Sequence, residues 1–271
     1  MLLRFLIIEK MKFKILVAVL FLLGCRVYGQ EPVIPGEMIT DRPDETEAPN
    51  LVPKGFLQIE TGGFYEEREE NDILIKLTGY NTTLLRYGLL DNLEIRIGGD
   101  LLGYKEELNA STIAETSSGL TPLLVGAKIG IAEEEGLLPQ IGLMLHLRLP
   151  FNAAEDYRPE TTGVDFRLAF SHELSEKSDL SYNLGAEWLN DATEATYIYT
   201  IAYGFDITDH FGVFAELYGD LPENSSAEHF FDAGFTYNLQ KNLQLDAFAG
   251  TGINADQKLL LGAGISYLIP N

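Results

Sequence analysis

The chain has 271 residues with a formal net charge of -22, a hydrophobic fraction of 46% and 26 glycines. This length fits one large all-β domain or two small domains, and because no linker is visible after about Gly55, one domain is favoured. Nucleic-acid binding is excluded as a function class, since so acidic a chain is repelled by nucleic acid and by anionic surfaces.

The first segment of the chain, residues 1–29, has the features of a secretory signal peptide. A basic start precedes an apolar run at 15–23. This run has the length of a signal-peptide core but falls short of the roughly 20 apolar residues that a membrane-spanning helix needs. We expect cleavage after Gly29. The alternative is lipid modification of Cys25, because residues 22–25 approximate a lipobox.

The start of translation is open between Met1 and Met11, because the residues between them form a second, weaker apolar stretch that contains Glu9. The sole cysteine of the chain, Cys25, lies within the signal. Neither a disulfide framework nor a thiolate metal site is therefore expected in the mature chain.

Residues 30–54 are rich in proline and in acidic residues. Proline cannot donate to the hydrogen-bond ladder of a sheet, so this stretch is predicted to be an irregular segment and not a strand. We expect it to lie in the periplasm, ahead of the main domain at 55–271.

From Phe56 onward the hydrophobic pattern repeats every two residues, which is typical of strands that expose their two faces to different media. The run 93–101, for example, places aliphatic residues and glycine on one face and mostly charged residues on the other. Most of these runs have about the 9 to 11 residues that a tilted membrane strand needs. Strands are predicted near 56–65, 73–88, 93–104, 121–132, 140–149, 162–173, 179–188, 196–207, 211–220, 230–239, 243–252 and 259–268.

The links between these strands alternate in length. Every second link is short and polar, as at 91–92 and 240–242, whereas the links between them are longer, as at 105–119 and 152–161. Short turns at one end, long loops at the other and an even strand count are typical of an outer-membrane barrel. We therefore predict an all-β fold, a transmembrane antiparallel up-and-down β-barrel of about 12 strands. A secreted sandwich or lipocalin-like barrel is the alternative, because soluble sheets also alternate.

Charged residues within the predicted strands fall almost entirely on one face. If this face lines the lumen, its charges form either a selectivity constriction, since rings of charge decide which solutes pass, or a network of salt bridges that fills the interior. We favour the network. The candidate lumen-lining charges are Glu60, Lys76, Arg86, Glu94, Arg96, Asp100, Lys128, Arg148, Asp165, Arg167, Glu187, Asp206, Glu216, Asp232 and Asp246.

Several stretches of the sequence carry distinctive motifs. They are Ile-Thr-Asp-Arg-Pro-Asp-Glu-Thr-Glu at 39–47, Val-Pro-Lys-Gly-Phe-Leu-Gln-Ile-Glu at 52–60, Asn-Thr-Thr-Leu-Leu-Arg-Tyr-Gly at 81–88, Asp-Asn-Leu-Glu at 91–94 and Thr-Thr-Gly-Val-Asp-Phe-Arg at 161–167. These stretches resemble a family of bacterial outer-membrane transporters grouped under the meta-pathway of phenol degradation. The resemblance implies a barrel that passes small organic molecules, often hydrophobic or aromatic ones.

Within such a barrel, we hypothesise that the proline-rich segment 30–54 folds back into the periplasmic mouth as a plug, in which Asp41 and Arg42 pair with inward charges. A tether or a binding site for a partner is the alternative role. The expected partners are the lipid bilayer of the outer membrane, a small organic solute and the barrel-assembly machinery during biogenesis. No cofactor is expected.

Enzymatic activity is not predicted. Ser171 and His172 are neighbours in a predicted strand, so their side chains point to opposite faces and cannot form a dyad. The four histidines are scattered and give no convincing metal site, and no cofactor-binding fingerprint is found. The alternative to transport is a structural or partner-binding barrel, whose acidic loops would carry Glu106, Glu107 and Glu115 or Glu155, Asp156 and Glu160.

Overall fold

The computed structural model describes residues 38–108 and 112–269, without the side chains of 112–114. The signal peptide predicted at 1–29, and the residues that precede Met38 in the proline-rich segment, lie outside the described residues. No helix within the described ranges is long and apolar enough to cross a membrane.

The described residues form thirteen β-strands and two single 3₁₀ turns, at Pro150–Asn152 and Glu155–Tyr157. The strands are β1 (Leu57–Glu70), β2 (Ile73–Leu90), β3 (Leu93–Leu108), β4 (Thr112–Leu120), β5 (Leu123–Ala132), β6 (Gln140–Leu149), β7 (Gly163–Ser175), β8 (Ser178–Trp188), β9 (Thr196–Thr208), β10 (Phe211–Pro222), β11 (Glu228–Gln240), β12 (Leu243–Gly252) and β13 (Gln257–Ile269).

The sheet closes on itself into a barrel. Each strand pairs antiparallel with its neighbours, and β1 pairs with β2 on one side and with β13 on the other. Strands β4 and β5 share β3 as a partner, β4 along 101–108 and β5 along 93–98. They form one wall strand that is interrupted at Thr121 and Pro122, where proline has no N–H to donate. The wall therefore has twelve strands, and the predicted antiparallel barrel is confirmed.

Each of the twelve predicted segments matches a wall strand to within two residues at its start, but the links differ from the prediction. The stretch 105–119, predicted as a loop, consists mainly of the ends of β3 and β4. At the same end of the barrel, β1 and β2 are joined by the two-residue turn Asn71-Asp72, whose φ angles are 49° and 65°. Such turns match the twist of a hairpin. Strands β1 to β4 thus continue beyond the rim formed by the other strands. This extension is polar, so the alternation of apolar and polar residues that predicts a strand is lost there.

The two faces of the wall have inverted polarity relative to a soluble protein. Asn183 is completely buried while its neighbour Leu184 is 54% exposed, and buried Arg96 is followed by Ile97, which is 44% exposed. Soluble proteins bury leucine and isoleucine and expose arginine. An apolar outer band around a polar interior is the arrangement of a barrel in lipid, where closure also leaves no unpaired strand edge. A soluble sandwich is thereby excluded.

The hydrophobic core is a small cluster at the end of the barrel where β1 begins and β13 ends. Met38, Val52 and Leu268 are buried together, and Phe56 packs against them. Two of these residues precede the barrel in the chain, so apolar contact helps to hold that stretch against the wall.

Candidate functional site inside the barrel

Residues 38–54, here called the inner segment, run along the inside of the wall without forming a strand. Their backbone groups are satisfied by side chains of the barrel. The N–H of Glu47 donates to the amide oxygen of Asn183 at 2.8 Å, and the Asn183 amide donates back to the carbonyl of Glu47 at 2.8 Å. The N–H of Val52 donates to Glu94 at 2.8 Å. Polar residues of the wall thus take the place of a sheet partner for this proline-rich stretch.

Asp41 is the centre of a cationic cluster. Its carboxylate lies 3.1 Å from Arg86, 3.0 Å from Arg96 and 2.9 Å from Lys128. Arg86 and Arg96 are directly opposite each other on β2 and β3, so two like charges face one another until Asp41 neutralises them. Burial alone would raise the pKa of Asp41, but the charges of Arg86, Lys128 and Arg96 outweigh burial and hold this pKa below its usual range.

Two further acids complete this network. Arg86, which is fully buried, donates to Glu60 at 2.7 Å and to Glu94 at 2.8 Å. The N–H of Asp41 also donates to Glu60, at 3.2 Å. Buried charges are stable only when paired and hydrogen-bonded. The structure therefore brings five of the candidate lumen charges together around one residue of the inner segment: Glu60, Arg86, Glu94, Arg96 and Lys128.

Arg42 points to the opposite part of the wall. It forms a bidentate pair with Asp246, with nitrogen to oxygen distances of 2.9 and 3.2 Å. The guanidinium passes over Gly62 and Gly264, which are cross-strand neighbours on β1 and β13. A β-carbon at either glycine would collide with it. Two glycines thus make the room that the Arg42 side chain requires.

The wall formed by β9 to β11 is acidic. The Thr46 hydroxyl bonds to Thr200 at 2.7 Å and to Glu216, and the N–H of Glu45 donates to Glu216 at 2.8 Å. One carboxylate oxygen of buried Asp232 has no hydrogen-bond partner within the described ranges. The inner segment consequently lies between a cationic wall and an acidic wall.

Asp44 of the inner segment faces this acidic wall. Burial, and after it the charge of Glu216, raises the pKa of Asp44 well above its usual range. Asp232 and Asp179 add to the effect. Asp44 therefore binds a proton more readily in this position than it would in water.

The remaining candidate charges are distributed as follows. Asp165 lies 3.2 Å from His146 and 3.7 Å from Arg148, across β6 and β7. Arg167 donates to the backbone carbonyl of Glu45 at 3.3 Å. Among the described residues, six of the candidates form no ion pair: Asp100, Arg167, Glu187, Asp206, Glu216 and Asp232.

Lys76 lies on the outer face and not on the inner one. The β2–β3 register shifts between Gly79 and Asn81, and this bulge moves every residue beyond it to the opposite face. Lys76 therefore shares its face with Glu107, to which it bonds at 2.9 Å. Counting by twos along the sequence cannot detect such a bulge.

Neutral polar residues of the inner face were not singled out from the sequence. Asn183, Thr200, Gln58 and Gln244 all bond to the inner segment. Their position in the two-residue alternation could have identified them. Asn183, for example, lies four residues before the candidate Glu187, so the two side chains point to the same face of the strand. Restricting the candidates to charged residues hid this group.

Ser171 and His172 do not form a dyad, because their side chains contact different partners. Ser171 bonds to Ser181 at 3.2 Å, while His172 stacks on Tyr182, consistent with neighbouring strand positions. Within the described part of the chain, no group of three or more His, Cys, Asp or Glu side chains could hold a metal ion.

Two cavities border the inner segment. The first, of about 520 Å³, here called the loop-side cavity, is lined by Arg96, Arg148 and Arg167 and reaches the links that follow β6 and β8. The second, of about 500 Å³, here called the turn-side cavity, reaches the turn between β7 and β8. Arg42 lines both. The inner segment therefore forms part of the wall between them.

A family model described as "Putative MetA-pathway of phenol degradation" matches residues 40–270. No curated protein matches the chain. Among solved structures, an outer membrane channel from Pseudomonas putida F1 is similar to it with a TM-score of 0.63 and 15% identity, over 84% of this chain and 99% of that chain.

Two further solved structures are similar in fold. The KdgM porin in complex with disordered oligogalacturonate has a TM-score of 0.50 and 9% identity, over 78% of this chain and 98% of that chain. The β domain of the Bordetella autotransporter Brka has a TM-score of 0.50 and 12% identity, with the same coverage of 78% and 98%. Together with the apolar outer band, this shared fold identifies a barrel of the bacterial outer membrane.

Proposed function

The chain belongs to the MetA-pathway of phenol degradation family, whose model matches residues 40–270, and on this premise we propose that it is an outer-membrane channel for small organic molecules, gated by its inner segment. The observation that carries this proposal is the position of the inner segment between the loop-side and turn-side cavities. A closed wall with a cavity on each side of a segment that can move is suited to the controlled passage of solutes.

The contacts of the inner segment are of a kind that allows it to act as a plug and to leave the lumen. They are hydrogen bonds and ion pairs to wall side chains, such as Arg42 to Asp246, and water can replace each of them when the segment moves. The apolar cluster of the contact includes only Met38 and Val52 of the inner segment. Removal of the segment would expose polar wall to water, which costs far less than exposing an apolar core.

A barrel without transport activity is the second candidate function. The network around Arg86 favours it, since this residue pairs with Asp41, Glu60 and Glu94, and such buried pairs also serve to fill and brace a closed wall. This role predicts a folded but silent protein, whereas a channel predicts conductance. We further infer that the chain is not a hydrolase, because Ser171 and His172 belong to different faces.

Conductance of refolded protein in planar bilayers tests the proposal. A variant that lacks residues 38–50 is compared with the wild type and with a matched variant in which the same residues are scrambled. We expect small or rare steps from the wild type and larger, frequent steps from both variants, because each loses the contacts to Glu60, Asp246 and Glu216. Equal conductance of all three proteins would exclude gating by this segment, and silence of all three would favour the structural barrel.

A further inference from the structure

Three buried nitrogen atoms of residues that line the loop-side cavity lack hydrogen-bond partners among the described residues. They are Nε of Arg96, Nε2 of His146 and Nε of Arg167, and all three residues line this cavity. Arg96 and His146 are 1% and 2% exposed, so bulk water does not readily reach them. Buried polar groups are nearly always paired in folded proteins, and three orphans that share one cavity indicate a missing partner.

The three residues are neighbours in the wall. Arg167 is directly opposite Met144 across β7 and β6, and Arg96 contacts the sulfur of Met144 at 3.2 Å. His146 is the next inward residue along β6, and the Nδ1 of its ring pairs with Asp165 at 3.2 Å. The other ring nitrogen, Nε2, is the unpaired atom.

One further nitrogen of each arginine is engaged with the inner segment. Nη1 of Arg96 lies 3.0 Å from Asp41 and 2.7 Å from Glu47, and Nη1 of Arg167 donates to the Glu45 carbonyl. Arg148 lies nearby, half-buried, with Asp165 no closer than 3.7 Å. The side chains that can still bind a further partner here are therefore mainly cationic, because most of the nearby carboxylates already have cationic partners.

The rest of the cavity is partly apolar. Leu84, Leu102, Pro122, Leu124 and Leu189 contribute to its wall. Its volume of about 520 Å³ lies within the usual range of sites for small molecules. Guanidinium groups recognise planar carboxylates through paired N–H donors, and an apolar wall accommodates the body of such a solute.

We propose that the loop-side cavity binds small organic carboxylates, with the carboxylate held by the guanidinium groups of Arg96 and Arg167 and the apolar body against the leucines. The proposal rests on the proposed channel function, because it names the class of solute that the channel would take. A hydrocarbon of the same shape would leave the guanidinium nitrogens unpaired and would bind more weakly.

Isothermal titration calorimetry of the full mature chain, refolded in detergent, tests the site with benzoate and with its neutral analogue benzamide. Arg167→Gln is compared with Arg68→Gln, a matched control whose arginine pairs with Glu66 outside the cavity. We expect the wild type and R68Q to bind benzoate equally, and R167Q to bind it about tenfold or more weakly, the usual effect of losing a charge-assisted hydrogen bond. Benzamide should bind weakly to all three.

Arg148→Gln supplies a second arm, since this half-exposed residue is less important for folding than Arg167. It should also weaken benzoate binding and leave benzamide unchanged. Equal affinity of the wild type for benzoate and benzamide, or unchanged benzoate binding in both cavity variants, would overturn the proposal. Conductance of the same samples separates the carboxylate site from the channel function. Benzoate binding without conductance would support the site and reject the channel. Conductance without benzoate binding would support the channel and reject the site.

Discussion

Asp41 illustrates how one carboxylate can be the counter-charge of several strands. It neutralises Arg86, Arg96 and Lys128, which come from β2, β3 and β5. Each of these cations is buried, and no bulk water can take over its solvation. The inner segment therefore contributes to the electrostatic balance of the wall as well as occupying the lumen.

We expect Asp41→Asn to destabilise the barrel by about 3–5 kcal/mol, the usual effect of removing one partner of a buried ion pair. The asparagine fills the same volume but leaves three cations with less counter-charge. Urea unfolding followed by the fluorescence of Trp188, the single tryptophan, measures the change. Asp209→Asn, at an exposed turn, is the matched control and should leave the midpoint unchanged; a D41N midpoint equal to that of D209N would show that Asp41 is not needed as a counter-ion.

Gly264→Ala should release the inner segment, because the added β-carbon would collide with the guanidinium of Arg42 and break its pair with Asp246. Gly99→Ala is the matched control, since a β-carbon at Gly99 meets nothing within 4 Å. A glutamate-specific protease, which would cut after Glu47 in a released segment, should cleave G264A faster than the wild type, with G99A at the wild-type rate. Equal cleavage of G264A and G99A would contradict the steric role of the glycine.

The sequence could predict which residues face inward but not which of them meet. Alternation alone places Glu60, Arg86 and Glu94 on the same face, because the side-chain period of a strand is fixed. Their pairing with Asp41 depends on the path of the inner segment, which has no periodicity of its own. Lys76 shows the other limit, since a single bulge at residue 80 reverses its face without any change in the local pattern.

At the scale of elements, the inner segment meets an acidic wall through Asp44. Burial and the charge of Glu216 raise the pKa of Asp44 well above its usual range. A carboxyl whose pKa is raised by docking favours docking while it is protonated, and this contribution is lost as pH rises through the raised pKa. Docking of the inner segment should therefore weaken as pH increases above the ordinary range for carboxylates.

Conductance measured across this pH range tests the effect. The wild type should open more frequently at higher pH, whereas Asp44→Asn, which cannot ionise, should show a flatter profile and remain more closed. Asp209→Asn again serves as the control and should follow the wild type. A D44N profile that rises as steeply as that of the wild type would assign the pH dependence to another group.

The strands could be predicted because a barrel wall between lipid and water imposes strict alternation of apolar and polar residues along each strand. The exception is the region from 105 to 119, where β3 and β4 continue beyond the apolar band. There both faces meet polar surroundings, so the sequence loses its alternation and reads as a loop. Pro122 separates this region from β5, since it interrupts the wall strand between β4 and β5.

For the whole molecule, the inner segment and the loop-side cavity are coupled through shared residues. Arg96 lines the cavity, while its Nη1 lies 2.7 Å from Glu47. Arg167 likewise lines the cavity and donates to the carbonyl of Glu45. A solute carboxylate bound by these arginines would compete with the inner segment for the same charges, so solute binding and docking should oppose each other.

We therefore expect benzoate to increase the open probability of the wild-type channel. A ligand shifts such an equilibrium only by the ratio of its affinities for the two states, and the undocked state offers it arginines that no longer bind Glu47 and Glu45. Linkage requires the reverse effect as well, so the variant lacking 38–50 should bind benzoate more tightly than the wild type. The ratio of the two affinities should equal the factor by which benzoate increases the equilibrium constant for opening. Single-channel recording and calorimetry on the two proteins measure the two sides of this relation. Benzamide is the control and should change neither quantity, and benzoate that binds both proteins equally would show that the arginines serve the inner segment and the solute independently.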